Sequence, residues 1–204
     1  MPRAKGRETA EEILKAAQEL FYVKGYENAS TREISKKVGI SKAALYHHFK
    51  NKEEILFKIC LQAADELVNN MKLAIERNIY SGKPLQEQLT DILVEYARTY
   101  MKNENFNKIL FHDIEYLPED KKQIILQKEK ENVHQLRNFI ENLMEQGLFR
   151  KLNPTVVTFS LISSLHWLYF WYKPTGPLSL TTIVEQIADL FLHGLEASKS
   201  HHNN

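Results

Sequence analysis

The sequence predicts an all-α protein, and three observations carry that prediction. Apolar residues recur three and four apart along most of the chain, the pattern of one buried helix face. Pairs of Ser, Thr or Asn with Glu three residues later recur ahead of apolar runs, as helix-opening capping boxes do. No stretch alternates apolar and polar residues as a half-buried strand would, and no internal repeat or low-complexity tract is present.

Length and charge frame the elements. The 204 residues suffice for one large domain or two small ones. Through Lys52 there are eleven Lys and Arg against six Asp and Glu, a balance of +5, and the remainder carries −4. A basic head on an acidic body favours a polyanion at the head alone, because phosphates are neutralised by cations and repelled by the rest. Cys60 is the single cysteine, so an intramolecular disulfide is excluded and a reducing, cytoplasmic setting is expected. No apolar run reaches the length of a membrane span.

The elements follow in order. The opening MPRAKGRE is basic and aperiodic: a mobile arm along a phosphate backbone or minor groove, or simply a solubilising end. From Thr9, paired with Glu12, the residues Ile13, Ala16, Ala17, Leu20 and Phe21 mark a helix face ending at Gly25. Ser30 with Glu33 opens a second helix at Thr31, closed by Gly39, and Ser41 caps a third beginning at Lys42. In that third helix Leu45 and Phe49 face inward, with Ile34 and Val38 of the second. Lys42, Ala43, Tyr46, His47 and Lys50 share the opposite face. This outward face is basic, aromatic and shallow, which suits a DNA major groove: Lys and His reach phosphates or guanine edges, Tyr bonds a phosphate, and alanine permits close approach. An ordinary solvated helix face is the plainer alternative.

Asn51 with Glu54 opens a long helix expected to run to about Tyr80. At about 1.5 Å per residue such a helix is roughly 40 Å long. Ser81 to Pro84 break it. A helix from Pro84 to about Lys102 follows, then a short apolar piece through Phe106 and Ile114. Pro118, Glu119 and Asp120 begin the next helix, which Gly147 closes; Asn153-Pro154 start another. Between Val156 and Trp171 nearly every position is apolar, so that helix is expected to be covered on both sides. A last helix is expected from Thr182 and Glu185. Some apolar surface of these final two helices is left for a second copy of the chain.

The run LFYVKGYENASTREISKKVGISKAALYHHFKNKEEIL resembles the amino-terminal domain of the TetR family of bacterial transcriptional repressors, and the likeness extends from Arg7 to about Phe57. The resemblance implies backbone phosphate contacts from Thr31, Ser41, Tyr46, His47 and Lys52, with Lys42 and Ala43 near base edges. Arg32 and Lys50 complete the candidate DNA-binding set. Ala43-Ala44 stand where many members carry glycine and then a hydroxyl or amide residue, which leaves more of the readout to DNA shape. The resemblance also implies operator DNA as partner and a four-helix homodimer interface from the last two helices. The loop WYKPTGPLS, Trp171 to Ser179, is similar to that of family members regulating fatty-acid and acyl-CoA degradation, where a rigid connector is the plain alternative.

The expected architecture is therefore a three-helix helix-turn-helix head, residues 1–54, a helical-bundle ligand-binding and dimerisation body, 55–197, and a polar tail, 198–204. Aromatic and apolar residues of the body, Tyr96, Tyr100, Phe106, Leu110, Phe111, Trp167 and Phe170 with His166, are the candidate effector site. The effector is an apolar or amphipathic small molecule: an acyl-CoA, or a drug or aromatic metabolite. A DNA-organising protein without effector is a further alternative. Catalysis has little to rest on. His47 and His48 diverge on a helix, His112 with Asp113 and Glu115 lacks metal-ligand spacing, and no phosphate loop or nucleophile elbow occurs, so no cofactor or metal is expected.

Overall fold

The computed structural model describes residues 2–102, 109 and 113–193, and among these no strand occurs. The helices are α1 (Pro2–Lys24), α2 (Thr31–Val38), α3 (Lys42–His48), α4 (Lys52–Ile79) and α5 (Leu85–Lys102). A 3-10 turn (Ile114–Tyr116) precedes α6 (Glu119–Glu145), α7 (Pro154–His166), α8 (Leu168–Trp171) and α9 (Leu180–His193). None of these helices is long and apolar enough to cross a membrane. Phe106, Leu110 and Phe111 of the candidate effector site, and the expected tail 198–204, lie outside the described residues.

Most helix ends fall where local chemistry puts them. Ser30 accepts the Glu33 amide while the Glu33 carboxylate accepts the Ser30 amide, a reciprocal box. Gly39 closes α2 at φ 79°, a left-handed conformation that a side chain resists. Asn153 caps α7 through the amides of Thr155 and Val156, and Pro154 takes the first-turn position where its missing N–H costs nothing. Gly147 ends α6 at φ 73°.

Three expectations are corrected. α1 begins at Pro2, so MPRAKGRE is largely helical and Thr9 lies inside the helix. Proline is tolerated in a first turn, and the residues after it extend the helix backward. α9 begins at Leu180 because Ser179, three residues ahead of the expected cap, accepts the Thr182 amide at 3.1 Å. The apolar run after Val156 is two helices and not one, broken at Trp167, and within the single chain one side of it is covered. Leu161, Ile162 and Leu165 are buried, whereas Val156, Phe159, Trp167 and Phe170 are half or more exposed in the single chain.

The chain forms two compact units, one from Met1–Val68 with Lys102–Asn132 and one from Asn69–Met101 with Val133–Asn204. The first is built on Ile13, Ala17, Phe21, Ile34, Leu45, Phe49, Ile55, Leu56 and Cys60, joined by Ile109, Ile114, Leu117 and Ile125. Burial pushes the Cys60 thiol up to about 12, so it serves as a small apolar residue and not as a nucleophile. The second unit buries Met71, Leu89, Ile92, Leu93, Tyr96, Leu136, Ile140, Leu165 and Val184.

Candidate nucleic-acid interface

The helix-turn-helix is set by the turn between α2 and α3. The Gly39 amide donates to the Ser35 carbonyl at 3.0 Å and the Ile40 amide to the same oxygen at 3.0 Å, which folds the chain back after α2. Ser41 then caps α3, its Oγ accepting the Ala44 amide at 3.0 Å. Leu45, fully buried, pins α3 to the core and so turns the opposite face of the helix outward.

Lys42, Ala43, Tyr46 and His47 all stand exposed on that outer face. The Tyr46 hydroxyl lies 3.2 Å from Thr31 Oγ1, which joins the first turn of α2 to the middle of α3. The Lys42 ammonium sits 5.6 Å from the Tyr46 ring centre, within cation–π range. Arg32 is exposed beside Thr31 at the start of α2. Basic, hydroxyl and aromatic groups are thus gathered on one exposed surface, the donor set used on phosphates and base edges. Glu33, the acid that follows Arg32 in the chain, is already engaged: hydrogen bonds from Lys24, then Ser30, hold its carboxyl down at about 2.

Two members of the expected set lie elsewhere. α3 ends at His48 because Phe49 turns extended, φ −136° and ψ 127°, to bury its ring. Lys50 therefore lies off the α3 face, in the link to α4, with its amide bonded to Glu54 at 2.6 Å. Lys52 departs further. Its ammonium donates to the carbonyls of Tyr26 at 2.7 Å, Ala29 at 2.9 Å and Glu27 at 3.2 Å. All three of its N–H donors thus point into the protein.

In the second unit the candidate effector residues separate into two groups. Tyr96 and Tyr100 of α5 meet His166 of α7: Tyr96 Oη lies 2.6 Å from His166 Nε2, and the Tyr100 and His166 rings stack with centres 4.1 Å apart. Burial pulls the His166 imidazole down to about 4, so the ring is neutral at physiological pH and can accept the Tyr96 hydroxyl. Trp167 and Phe170 pair with each other at 4.7 Å and are exposed, apart from that cluster. An open groove of about 690 Å³ that sequence reasoning missed lies elsewhere in the unit, lined by Leu89, Met144, Phe149, Val157, Leu161 and Phe191 among others. Its walls come from four helices and a loop, so no local pattern announces it.

A capped helix-turn-helix with an exposed basic and aromatic face, in a chain that carries a second all-helical unit, is the make-up of helix-turn-helix DNA-binding regulators. Comparison with known proteins then supplies the family: this chain belongs to the TetR family of bacterial transcriptional regulators. Residues 13–59 match the family described as bacterial regulatory proteins, tetR family, and residues 82–195 the family described as tetracyclin repressor-like, C-terminal domain. The fold is similar to that of PfmR, a TetR family transcriptional regulator from Thermus thermophilus, at 32% identity and TM-score 0.80 over 91% of this chain and 99% of that one. It is also similar to AibR, solved in complex with isovaleryl coenzyme A and operator DNA, at 27% identity and TM-score 0.75 over 90% and 98%. The HTH-type transcriptional repressor KstR2 of Mycolicibacterium smegmatis is 25% identical over 93% of this chain and 91% of its own length.

Proposed function

We propose that this protein is a ligand-responsive repressor that binds operator DNA as a homodimer and releases it when an apolar or amphipathic effector, foremost an acyl-CoA thioester, occupies the helical body. DNA binding is assigned to residues 1–54, through Thr31, Arg32, Ser41, Lys42, Ala43, Tyr46 and His47. Dimerisation and effector binding are assigned to 55–197. The observation that carries the reading is the outer face of α3, where Lys42, Ala43, Tyr46 and His47 stand free of the core that Leu45 anchors.

Three further observations support the rest. Val156, Phe159, Leu190 and Phe191 leave an apolar surface on α7 and α9, which a second copy would cover. A dimer places two reading helices on half-sites about 34 to 36 Å apart, and an effector that favours another spacing weakens binding. The Tyr96, Tyr100 and His166 cluster supplies aromatic surface within a helical bundle, the setting in which bundles hold ligands. An acyl-CoA is favoured by the loop from Trp171 to Ser179 and by the coenzyme A thioester bound to AibR.

The test is a titration of the protein–DNA complex with acyl-CoAs of increasing chain length, read by fluorescence anisotropy and by thermal shift. Affinity should climb with chain length, at about 0.8 kcal/mol per buried CH₂, until the pocket is full, and CoA alone should not release DNA. DNA affinity that is the same at low and high salt would overturn the DNA-binding reading. Unchanged melting temperature and DNA affinity across the series would replace acyl-CoA with another apolar effector, a drug or aromatic metabolite.

A further inference from the structure

Lys52 opens α4 and was expected at the DNA backbone, yet its ammonium is turned inward onto the loop between α1 and α2. Besides the carbonyls of Tyr26, Glu27 and Ala29, Nζ lies 4.2 Å from the centre of the Tyr26 ring. That ring is also held by aromatic neighbours. Phe21 meets it edge-on at 5.3 Å, and Tyr116, from the 3-10 turn before α6, lies against it at 5.1 Å with the planes 30° apart. The Glu27 carboxylate, on the same loop, raises the pKa of the Tyr116 hydroxyl, so the two groups also face each other electrostatically. Burial disfavours the Lys52 ammonium, and the charges of Glu27 and of Asp113, buried at the start of the turn, offset part of that cost.

The loop so held leads directly into the reading motif. Ala29, whose carbonyl Lys52 takes, is buried and precedes Ser30, the cap of α2. Turning Lys52 outward to a phosphate would strip three carbonyls of their charged donor and uncover the Tyr26 face.

We propose that Lys52, Tyr26 and Tyr116 form a latch that docks the α1–α2 loop on the turn at 113–117, so that the placement of α2 and α3, and with it operator affinity, depends on whether this turn is seated. Lys52 is a positioning residue and its ammonium contacts no phosphate. The inference rests on the DNA-binding reading for its consequence, but not for the latch itself.

Two readouts on the full chain separate these. In the free protein, Tyr116→Leu should speed amide hydrogen exchange at Ala29, whose N–H is bonded to the Tyr26 carbonyl, and through the rest of the 26–31 segment. On duplex DNA, Tyr116→Leu should weaken binding roughly two- to tenfold with the salt dependence unchanged. Lys52→Met should do the same, and the double variant should lose less than the two single losses combined, because both remove one latch. Tyr116 is partly exposed, so its variant tests the latch even where Lys52→Met unfolds the head. Wild-type exchange at 26–31 in Tyr116→Leu would overturn the latch whether or not the protein binds DNA. A salt slope that falls by about 0.9 for each Lys52 replaced, with Tyr116→Leu binding like wild type, would return Lys52 to the phosphate backbone. Absence of DNA binding by the wild type would sink the DNA-binding reading, while the exchange result still decides the latch.

Discussion

Leu45 and Tyr46 are neighbours on α3, and truncating each should damage a different property. Leu45 is 0% exposed within the core of the first unit, and Tyr46 is 43% exposed. Leu45→Ala removes three buried carbons, about 2.4 kcal/mol of transfer free energy at about 0.8 kcal/mol each. The unfilled space adds to this, which brings the expected loss to roughly 3 to 5 kcal/mol. Against a total stability of about 5 to 15 kcal/mol, that is enough to populate unfolded head on modest warming. Tyr46→Ala gives up one exposed hydrogen bond, to Thr31, and an exposed cation–π contact with Lys42 worth about 0.5 to 1 kcal/mol. Such a hydrogen bond is worth about 1 kcal/mol at most. Urea unfolding followed by circular dichroism, beside anisotropy with a fluorescent duplex, measures both. Leu45→Ala should lower the unfolding midpoint and lose DNA binding as a result. Tyr46→Ala should lower its midpoint less and still bind DNA more weakly. Equal midpoints for the two variants, or full DNA affinity in Tyr46→Ala, would refute the division of α3 into a core face and a reading face.

Phe159→Glu places a charge on the exposed apolar surface of α7, so sedimentation should show monomers and weaker operator binding with the helical content kept. Leu165→Glu, at a fully buried position, should unfold the second unit instead, and a folded, dimeric Phe159→Glu protein would exclude α7 from the interface. His166 carries a pH dependence whose sign follows from its depressed pKa. Between about 6.5 and about 4 the unfolded chain binds a proton that the folded protein refuses, so its contribution is present above pH 6.5 and is lost as pH falls toward 4. The full effect is on the order of 3 kcal/mol. Urea midpoints at pH 7 and pH 5 should therefore differ more in wild type than in His166→Phe, and parallel shifts in the two proteins would show that His166 does not carry the dependence.

Helix ends were legible in the sequence wherever a cap is closed by residues three apart. Ser30 with Glu33, Gly39, Ser41 and Asn153 all act as their spacing requires, because each hydrogen bond is complete within one turn. The same local reading erred where two caps competed. Ser179 pre-empts Thr182, and Pro2 lets α1 extend past Thr9, since a helix continues backward until a better terminus stops it. At the other end of the motif, Phe49 leaves α3 to bury its ring, so core packing overrides helical periodicity and takes Lys50 off the outer face of α3.

The side chains that join distant segments could not be read that way. Tyr96 meets His166 across seventy positions, and Lys52 reaches back more than twenty to Tyr26 and Ala29. The sequence by itself determined the all-α class, the helix-turn-helix and its outward residues Lys42, Ala43, Tyr46 and His47, because periodicity and capping are set by neighbours within a turn or two. Only the tertiary structure decided that Lys52 points inward, that His166 is desolvated and neutral, and that Trp167 and Phe170 face outward. The direction and charge of a side chain depend on which distant groups remove its water and offer it partners, and no spacing along the chain encodes those groups.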